Sequence, residues 1–307
     1  MKKTMLGKTN LEIPVIAVGC MRIAEMETNR LTEHIRFCIE HGLNFFDHAD
    51  IYGGGQCESR FAEAFKKTGY KREDVILQSK CAIRPGVMYD FTKKHILESV
   101  DGILKRLDTD YLDVLLLHRP DALMEPEEVA EAFELLEKEG KVRHFGVSNH
   151  RPYQIELLNK YVKQELCANQ LQFSIPFSNM VAAGMEANML TDGAIDRDGG
   201  ILDYCRLKDI TIQAWSPFQY GFFEGIFLGN NEKYPELNKA LEEISQKYDT
   251  TPTAIATAWI LRHPANIQMI AGTTNTERMS EIIKGSEIRL EREEWYRLYL
   301  SSGHILP

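Results

Sequence analysis

The chain has 307 residues, of which 44% are hydrophobic and 26% are charged, and its formal net charge is −9. This length and composition are typical of a globular protein of one or two domains. The acidic balance argues against nucleic acid and anionic membranes as partners, because both favour a basic surface. No run of about 18 apolar residues could span a membrane, and no apolar signal segment follows the first lysines, so we expect a cytoplasmic protein.

Residues 2–14 are predicted to form a β-hairpin, with KKTML and LEIP as strands and GKTN as the turn. After it, short apolar stretches alternate with longer segments of helical periodicity. In residues 27–41, for example, Leu31, Ile35 and Cys38 lie on one helical face. The pattern predicts eight buried strands: VIAVGC, NFFD, VILQSK, YLDVLLLHRP, HFGVSN, CANQLQF, ITIQAWSPF and NIQMIAG.

Helical segments separate these strands. Residues 126–140 show the pattern well, because Pro126 stands at the start and Gly140 at the end, as is common at helix termini. Residues 180–200 and 219–234 lack clear periodicity and are expected to be irregular. The predicted helices cover residues 27–41, 59–67, 91–107, 126–140, 152–162, 200–209, 235–248, 251–263, 276–285 and 291–300.

Eight such repeats predict a single α/β domain over residues 1–307, a (β/α)8 TIM barrel with an N-terminal β-hairpin and an extra C-terminal helix. Continuous apolar strands indicate a parallel sheet that is covered on its faces. The alternative is an open doubly wound sheet, which would want a GxGxxG turn after its first strand. VIAVGCMRIAEM contains no such turn, so the barrel is favoured.

Four polar residues stand at the ends of three neighbouring predicted strands. Asp47 ends NFFD and Tyr52 follows it, Lys80 ends VILQSK, and His118 follows the fourth strand. A barrel brings the C-terminal ends of its strands to one mouth, where such enzymes carry their active sites. We therefore expect these four side chains to lie together.

These residue types suit the reduction of a carbonyl group. A tyrosine has an ordinary pKa near 10, and an ammonium such as that of Lys80 favours the phenolate and lowers the value. Asp47 can hold Lys80 by an ion pair, and His118 can orient a carbonyl oxygen. Taken singly, each has a structural alternative: a turn cap for Asp47, a loop aromatic for Tyr52, a solvated strand end for Lys80 and a core histidine for His118.

The motifs around these residues resemble the aldo-keto reductase superfamily over almost the whole chain. FDHADIYGGG is similar to that family's FDTAxxYG signature, and QSK, LLLHRP, GKVRHFGVSN, NQLQFSIP, AWSPF and AGTTNTERMSEI follow in the family's order. The resemblance implies that Asp47, Tyr52, Lys80 and His118 are the catalytic tetrad, with Tyr52 as the general acid. It further implies an NAD(P)H cofactor bound across the barrel mouth.

The resemblance also implies a set of cofactor contacts. Ser148, Asn149 and Gln170 would bind the nicotinamide carboxamide, and Trp215 would stack on the nicotinamide ring. The remaining contacts, to the pyrophosphate, the 2′-phosphate and the adenine, would come from Ser216, Phe218, Gly272, Thr273, Thr274, Asn275, Arg278 and Glu281. No metal is expected, because the six cysteines lack metal-ligand spacing.

Three positions depart from the family pattern. His48 replaces a small residue, Trp215 stands where tyrosine is common, and Gly272 stands where some branches place a lysine near the 2′-phosphate. Arg278 is then the main group able to recognise that phosphate, so we expect NADPH to be preferred over NADH. Residues near the substrate are expected to include Met21, Arg22, Ile51, Arg119 and His150, with residues 219–234 as a lid.

The function predicted from the sequence is the NADPH-dependent reduction of an aldehyde or ketone, with a small-molecule carbonyl compound as partner. An alternative is a cofactor-binding redox sensor with slow turnover, as in the potassium-channel β-subunits that share this architecture. A barrel isomerase without nicotinamide is less favoured, because it would not need the nicotinamide-contact motifs. The sequence leaves the oligomeric state open.

Overall fold

The computed structural model describes residues 1–306. Eight parallel strands form a closed barrel in which each strand pairs with its neighbours in chain order, and the last strand pairs with the first. The strands are β1 Ile16–Gly19, β2 Phe45–Asp47, β3 Ile76–Cys81, β4 Leu112–Leu117, β5 Val142–Ser148, β6 Leu166–Gln172, β7 Thr211–Trp215 and β8 Ile267–Ala271. The predicted (β/α)8 barrel is confirmed.

Helices surround the barrel, and residues at their ends favour helix formation locally. Thr251, for example, caps one helix by accepting a hydrogen bond from the Ala254 amide, and Pro252 follows it at the first helical position. The helices are α1 Thr28–Glu40, α2 Gln56–Lys66, α3 Lys93–Leu107, α4 Pro126–Lys138, α5 Pro152–Asn159, α6 Asn179–Met185, α7 Ile201–Lys208, α8 Pro235–Lys247, α9 Pro252–Arg262, α10 Thr276–Gly285 and α11 Arg292–Ser301.

The predicted N-terminal hairpin is present and closes the N-terminal end of the barrel. Its strands, Lys3–Met5 and Glu12–Pro14, pair antiparallel. Leu6 and Ile13 are fully buried in a cluster with residues from the barrel interior. At Gly7, where φ is +55°, a Cβ would lie 2.6 Å from the carbonyl oxygen of Cys167, so only glycine fits there.

The strands are buried on both sides, as their continuous apolar sequences predict. Every residue of β3 and β4 is buried. The larger core lies between the barrel and the helices, and the smaller one fills the barrel interior. Packing on both sides of the sheet therefore fixes the position of each strand and of the side chains at the C-terminal mouth of the barrel.

Two features differ from the sequence-based expectation. Residues 180–200 were expected to be irregular, but α6 covers Asn179–Met185 and a 3-10 turn covers Asp192–Ala194. A short antiparallel ribbon, Ile83–Arg84 with Met88–Tyr89, follows β3 and was not predicted. Both elements are too short for a periodic pattern to show in the sequence. Within residues 1–306, every helix is too short or too polar to cross a lipid bilayer.

Candidate active site

The four predicted catalytic residues meet at the C-terminal mouth of the barrel. Asp47 is the last residue of β2, and Tyr52 opens a 3-10 turn, Tyr52–Gly55, just beyond it. Lys80 lies one residue before the end of β3, and His118 directly follows β4. Adjacent parallel strands therefore bring together side chains that are far apart in the sequence.

Lys80 is the centre of this group. Its side chain is fully buried, and Nζ donates hydrogen bonds to Asp47 Oδ2 at 2.8 Å, to the His48 carbonyl at 2.8 Å and to the Tyr52 hydroxyl at 3.2 Å. Burial alone would lower the pKa of Lys80, but the charge of Asp47 and the contact with Tyr52 outweigh it and raise the pKa above its usual value. Lys80 is thus held as an ammonium ion against the tyrosine.

The pKa of Tyr52 corrects one expectation from the sequence. Burial raises this pKa above 10, and Lys80 reverses only part of the rise. The net shift is upward because the phenol is withdrawn from water, which penalises the phenolate. Tyr52 is therefore a protonated donor at neutral pH, and Lys80 is placed to stabilise the phenolate once the proton has left.

His118 lies beside Tyr52, with the two ring centroids 6.0 Å apart at an angle of 79°. Burial, assisted by the charges of Lys80 and Arg119, lowers the pKa of His118 well below its usual value. Its Nδ1 has no hydrogen-bond partner among residues 1–306. A neutral imidazole in this position can donate one N–H to a carbonyl oxygen that also contacts Tyr52.

A ladder of buried glutamines supports Asp47 from inside the barrel. Gln78 and Gln170 donate to Asp47 Oδ1 at 2.6 and 3.1 Å, and both also donate to Gln213. Gln213 donates in turn to Gln268, which donates to the Pro14 carbonyl in the hairpin. Gln78, Gln213 and Gln268 were not among the residues predicted from the sequence. Their signal was one glutamine among the buried residues of each of three strands, β3, β7 and β8.

A continuous cavity of about 780 Å³ opens above this group. Its volume lies in the range of small-molecule and cofactor sites. Asp47, Tyr52 and His118 line it, whereas Lys80 lies behind them. Of the residues expected to contact a cofactor, all but one line the cavity: Ser148, Asn149, Gln170, Trp215, Ser216, Phe218, Gly272, Thr273, Thr274, Asn275 and Arg278. Glu281, the exception, lies further along α10.

One wall of the cavity is organised by a chain of hydrogen bonds. Trp215 Nε1 donates to Asn149 Oδ1 at 3.1 Å, Asn149 Nδ2 donates to Ser148 Oγ at 2.7 Å, and Ser148 Oγ donates to the Gln170 carbonyl at 2.9 Å. Asn149 and Ser216 have φ values of +59° and +51°. Such left-handed backbone is uncommon outside glycine and often marks functional positions. The wall thus places the polar side chains of Ser148 and Asn149 next to an aromatic ring, a combination that suits a nicotinamide.

The far end of the cavity suits a phosphate. Asn275 caps α10 by accepting a hydrogen bond from the Arg278 amide at 2.9 Å. The amides of Thr276 and Glu277, which precede Arg278 in the first turn, are free to face an anion, and the Arg278 side chain lines the same end. A Cβ at Gly272 would meet no atom within 4 Å, so the cavity stays open there. The two ends together fit a nicotinamide dinucleotide lying across the mouth.

The expected substrate residues divide into two groups. Met21, Arg22, Ile51 and Arg119 line the cavity. His150 does not line the cavity. Its ring is buried against Phe91, and its Nδ1 contacts the Ser148 carbonyl. His48, which departs from the family pattern, is also buried away from the cavity, and its ring centroid lies 4.7 Å from that of Phe61. From the expected lid, Phe222 and Phe223 reach the cavity mouth.

A barrel with a buried acid–base group at its C-terminal mouth is typical of TIM-barrel enzymes. The chain belongs to the Aldo/keto reductase family, whose sequence model matches residues 15–299. It is therefore an NAD(P)H-dependent oxidoreductase, as the sequence predicted.

Relatives of known name are also oxidoreductases or reductases. The chain is 37% identical to an uncharacterized oxidoreductase, YcsN, of Bacillus subtilis, over 97% of each chain. It is 32% identical to a 6-dehydroglucose reductase of Agrobacterium fabrum, over 94% of each chain. Among solved structures, a thermostable aldo-keto reductase, Tm1743, in complex with the inhibitor epalrestat is similar with a TM-score of 0.79 at 27% identity, covering 98% of this chain and 100% of that one.

Proposed function

We propose that this protein reduces aldehydes or ketones to alcohols with NADPH, and that Tyr52 is the proton donor. The observation that carries the proposal is the contact between Lys80 Nζ and the Tyr52 hydroxyl at 3.2 Å, at the wall of a cavity that extends to Arg278. The relative named 6-dehydroglucose reductase supports the same reaction class.

The bound cofactor would supply a hydride to the carbonyl carbon. Side chains of the protein orient and protonate the carbonyl oxygen. His118, as a neutral imidazole, orients the carbonyl oxygen toward Tyr52, and the Tyr52 hydroxyl gives up its proton as negative charge develops on that oxygen. The phenolate that remains is stabilised by the ammonium of Lys80. Asp47 keeps Lys80 charged and in place, and the glutamine ladder fixes the direction of Asp47.

NADPH rather than NADH is proposed because the phosphate end carries a guanidinium. Arg278 lines the cavity next to the first turn of α10. A guanidinium matches a phosphate with two parallel hydrogen bonds, and NADH lacks the 2′-phosphate that would receive them. The nicotinamide end offers Ser148, Asn149 and Trp215 to both cofactors alike.

The test is turnover with product identification. The purified protein is incubated with an activated aromatic aldehyde and either NADPH or NADH, and oxidation of the cofactor and formation of the alcohol are followed together. Equal amounts of alcohol and oxidised cofactor, with a higher kcat/KM for NADPH, support the proposal. Tight NADPH binding without alcohol formation over a broad panel of aldehydes and ketones would reject it and favour the redox-sensor alternative.

A further inference from the structure

Arg119 directly follows His118 and lines the same cavity. Its guanidinium is half-buried and faces two aromatic rings, those of Trp215 at 5.9 Å and Phe222 at 5.8 Å. It therefore lies in the same cavity as His118 and Tyr52, which would hold a carbonyl oxygen.

Among residues 1–306, Arg119 has no ion-pair partner and donates no hydrogen bond from its side chain. Two other arginines that are largely buried behave differently. Arg72 and Arg106 each donate to a buried carboxylate at 2.7 Å, that of Asp113 and that of Glu58 respectively. Burial of a charge is costly unless it is paired, and burial correspondingly lowers the pKa of Arg119. The five N–H donors of Arg119 are thus available to a ligand.

The charges around the substrate end of the cavity favour an anion. The charged residues that line the whole cavity are Arg22, Arg119, Arg278 and Asp47. Asp47 is neutralised by Lys80, and Arg278 lies at the opposite, phosphate end. The substrate end therefore carries two cations and no free carboxylate. Low-dielectric walls strengthen the attraction of such a site for an anion.

We propose that Arg119 binds a carboxylate on the carbonyl substrate, so that the protein acts preferentially on acidic aldehydes or ketones. The inference rests on the proposed function. A guanidinium pairs with a carboxylate through two parallel hydrogen bonds, and the aromatic ring of Phe222 would pack against the apolar part of the molecule. Arg119 would then fix the substrate at one end while His118 and Tyr52 hold its carbonyl at the other.

The test compares two substrates that differ only in charge, 4-carboxybenzaldehyde and its methyl ester, with saturating NADPH. The measured quantity is the ratio of kcat/KM for the acid to kcat/KM for the ester. In Arg119→Gln this ratio should fall roughly 10- to 100-fold, mainly through KM for the acid, because ground-state binding is lost. Arg119→Lys should recover part of the ratio, since it keeps the charge but not the planar fork.

Arg289→Gln is the control, because it removes the same charge from an exposed position outside the cavity. Solvent screens such a charge, so its ratio should stay within about threefold of wild type. An unchanged ratio in Arg119→Gln, or an equal fall in both variants, would overturn the proposal. The first result would mean that Arg119 only packs against the aromatic rings. The second would mean that it only adds to the positive electrostatic potential of the protein.

A binding measurement separates this proposal from the proposed function. Calorimetry of 4-(hydroxymethyl)benzoate, the alcohol formed from the acid, is carried out with saturating NADP⁺. Its Kd should rise at least about tenfold in Arg119→Gln, whether or not the enzyme turns over either aldehyde. An unchanged Kd would reject the carboxylate site. Turnover of neither aldehyde with an intact binding effect would reject the proposed reaction alone.

Discussion

The side-chain amide of Gln78 donates to Asp47 Oδ1 at 2.6 Å, while Lys80 donates to the other carboxylate oxygen at 2.8 Å. Gln170 adds a second donor to Oδ1 at 3.1 Å. One carboxylate oxygen of Asp47 thus accepts from two neutral amides, and the other accepts from an ammonium ion. The charge that holds Lys80 against Tyr52 is itself oriented by residues deep in the barrel.

Removal of Lys80 should separate stability from catalysis. Lys80→Met leaves the buried Asp47 charge unpaired, which should cost about 3–5 kcal/mol in the free energy of unfolding. The double variant Asp47→Asn/Lys80→Met should recover most of that loss, because the asparagine oxygen still accepts from Gln78 and Gln170. Both variants should lose at least about 100-fold in kcat.

Urea unfolding and aldehyde turnover measure the two quantities for Lys80. A double variant no more stable than Lys80→Met would show that the ion pair does not dominate the cost. Turnover near the wild-type level in either variant would contradict the role given to Lys80.

The glutamine ladder should be sensitive at its centre. Gln213 accepts hydrogen bonds from Gln78 and Gln170 and donates to Gln78 and Gln268. Gln213→Leu should therefore destabilise the protein by about 1–3 kcal/mol, since buried amides lose partners. It should also lower kcat, because Asp47 is held less firmly, while NADPH affinity stays close to wild type.

Gln172→Leu is the control for the ladder. Gln172 lies on the same strand as Gln170, and its Nε2 has no partner among residues 1–306. This change should alter the free energy of unfolding by no more than about 0.5 kcal/mol. Urea unfolding measures the free energy of unfolding of both variants. Equal losses would show that the hydrogen bonds of Gln213 add no more stability than an unpaired glutamine does.

The position of each catalytic side chain could be foreseen because each follows or nearly ends an apolar strand. Parallel strands in a barrel bring their C-terminal ends to one mouth, so sequence order sufficed for Asp47, Lys80 and His118. The ladder could not be foreseen in this way. Gln213 and Gln268 lie within strands, and their partners depend on strand register and side-chain direction, which a single sequence does not contain. The upward pKa shift of Tyr52 likewise depends on its burial, not only on its neighbour.

The buried His48 should make stability depend on pH. Burial lowers its pKa to about 3 from 6.5, and neither ring nitrogen has a partner among residues 1–306. Between these two pKa values the unfolded chain binds a proton that the folded chain does not, so stability is lost as the pH falls through this window. His48→Leu should remove about 2 kcal/mol of that loss at about pH 5 and almost none at pH 7.5.

Urea unfolding of wild type and His48→Leu at both pH values tests this expectation. His41→Leu is the control, because the His41 ring is exposed in the folded chain. The same difference between His48→Leu and wild type at both pH values would mean that packing against Phe61, and not protonation, sets the effect.

Arg278 should discriminate between the two cofactors. Arg278→Gln removes a guanidinium that can pair with the 2′-phosphate, so the Kd for NADPH should rise roughly 10-fold or more. The Kd for NADH should change little, because that cofactor has no 2′-phosphate. Quenching of tryptophan fluorescence by each cofactor provides the measurement, since Trp215 lines the cavity.

Arg289→Gln is the control for Arg278, because Arg289 is exposed and lies outside the cavity. It should leave both Kd values near wild type. A parallel weakening of NADPH and NADH in Arg278→Gln would assign Arg278 to a part that the two cofactors share.

The most direct test of the central claim is Tyr52→Phe. This change removes only the hydroxyl that donates the proton, so kcat for aldehyde reduction should fall at least about 100-fold, while the Kd for NADPH stays within about twofold of wild type. Single-turnover oxidation of NADPH, followed at 340 nm alongside the fluorescence titration, gives both quantities. Wild-type rates in Tyr52→Phe would contradict the role of Tyr52 and the mechanism built on it.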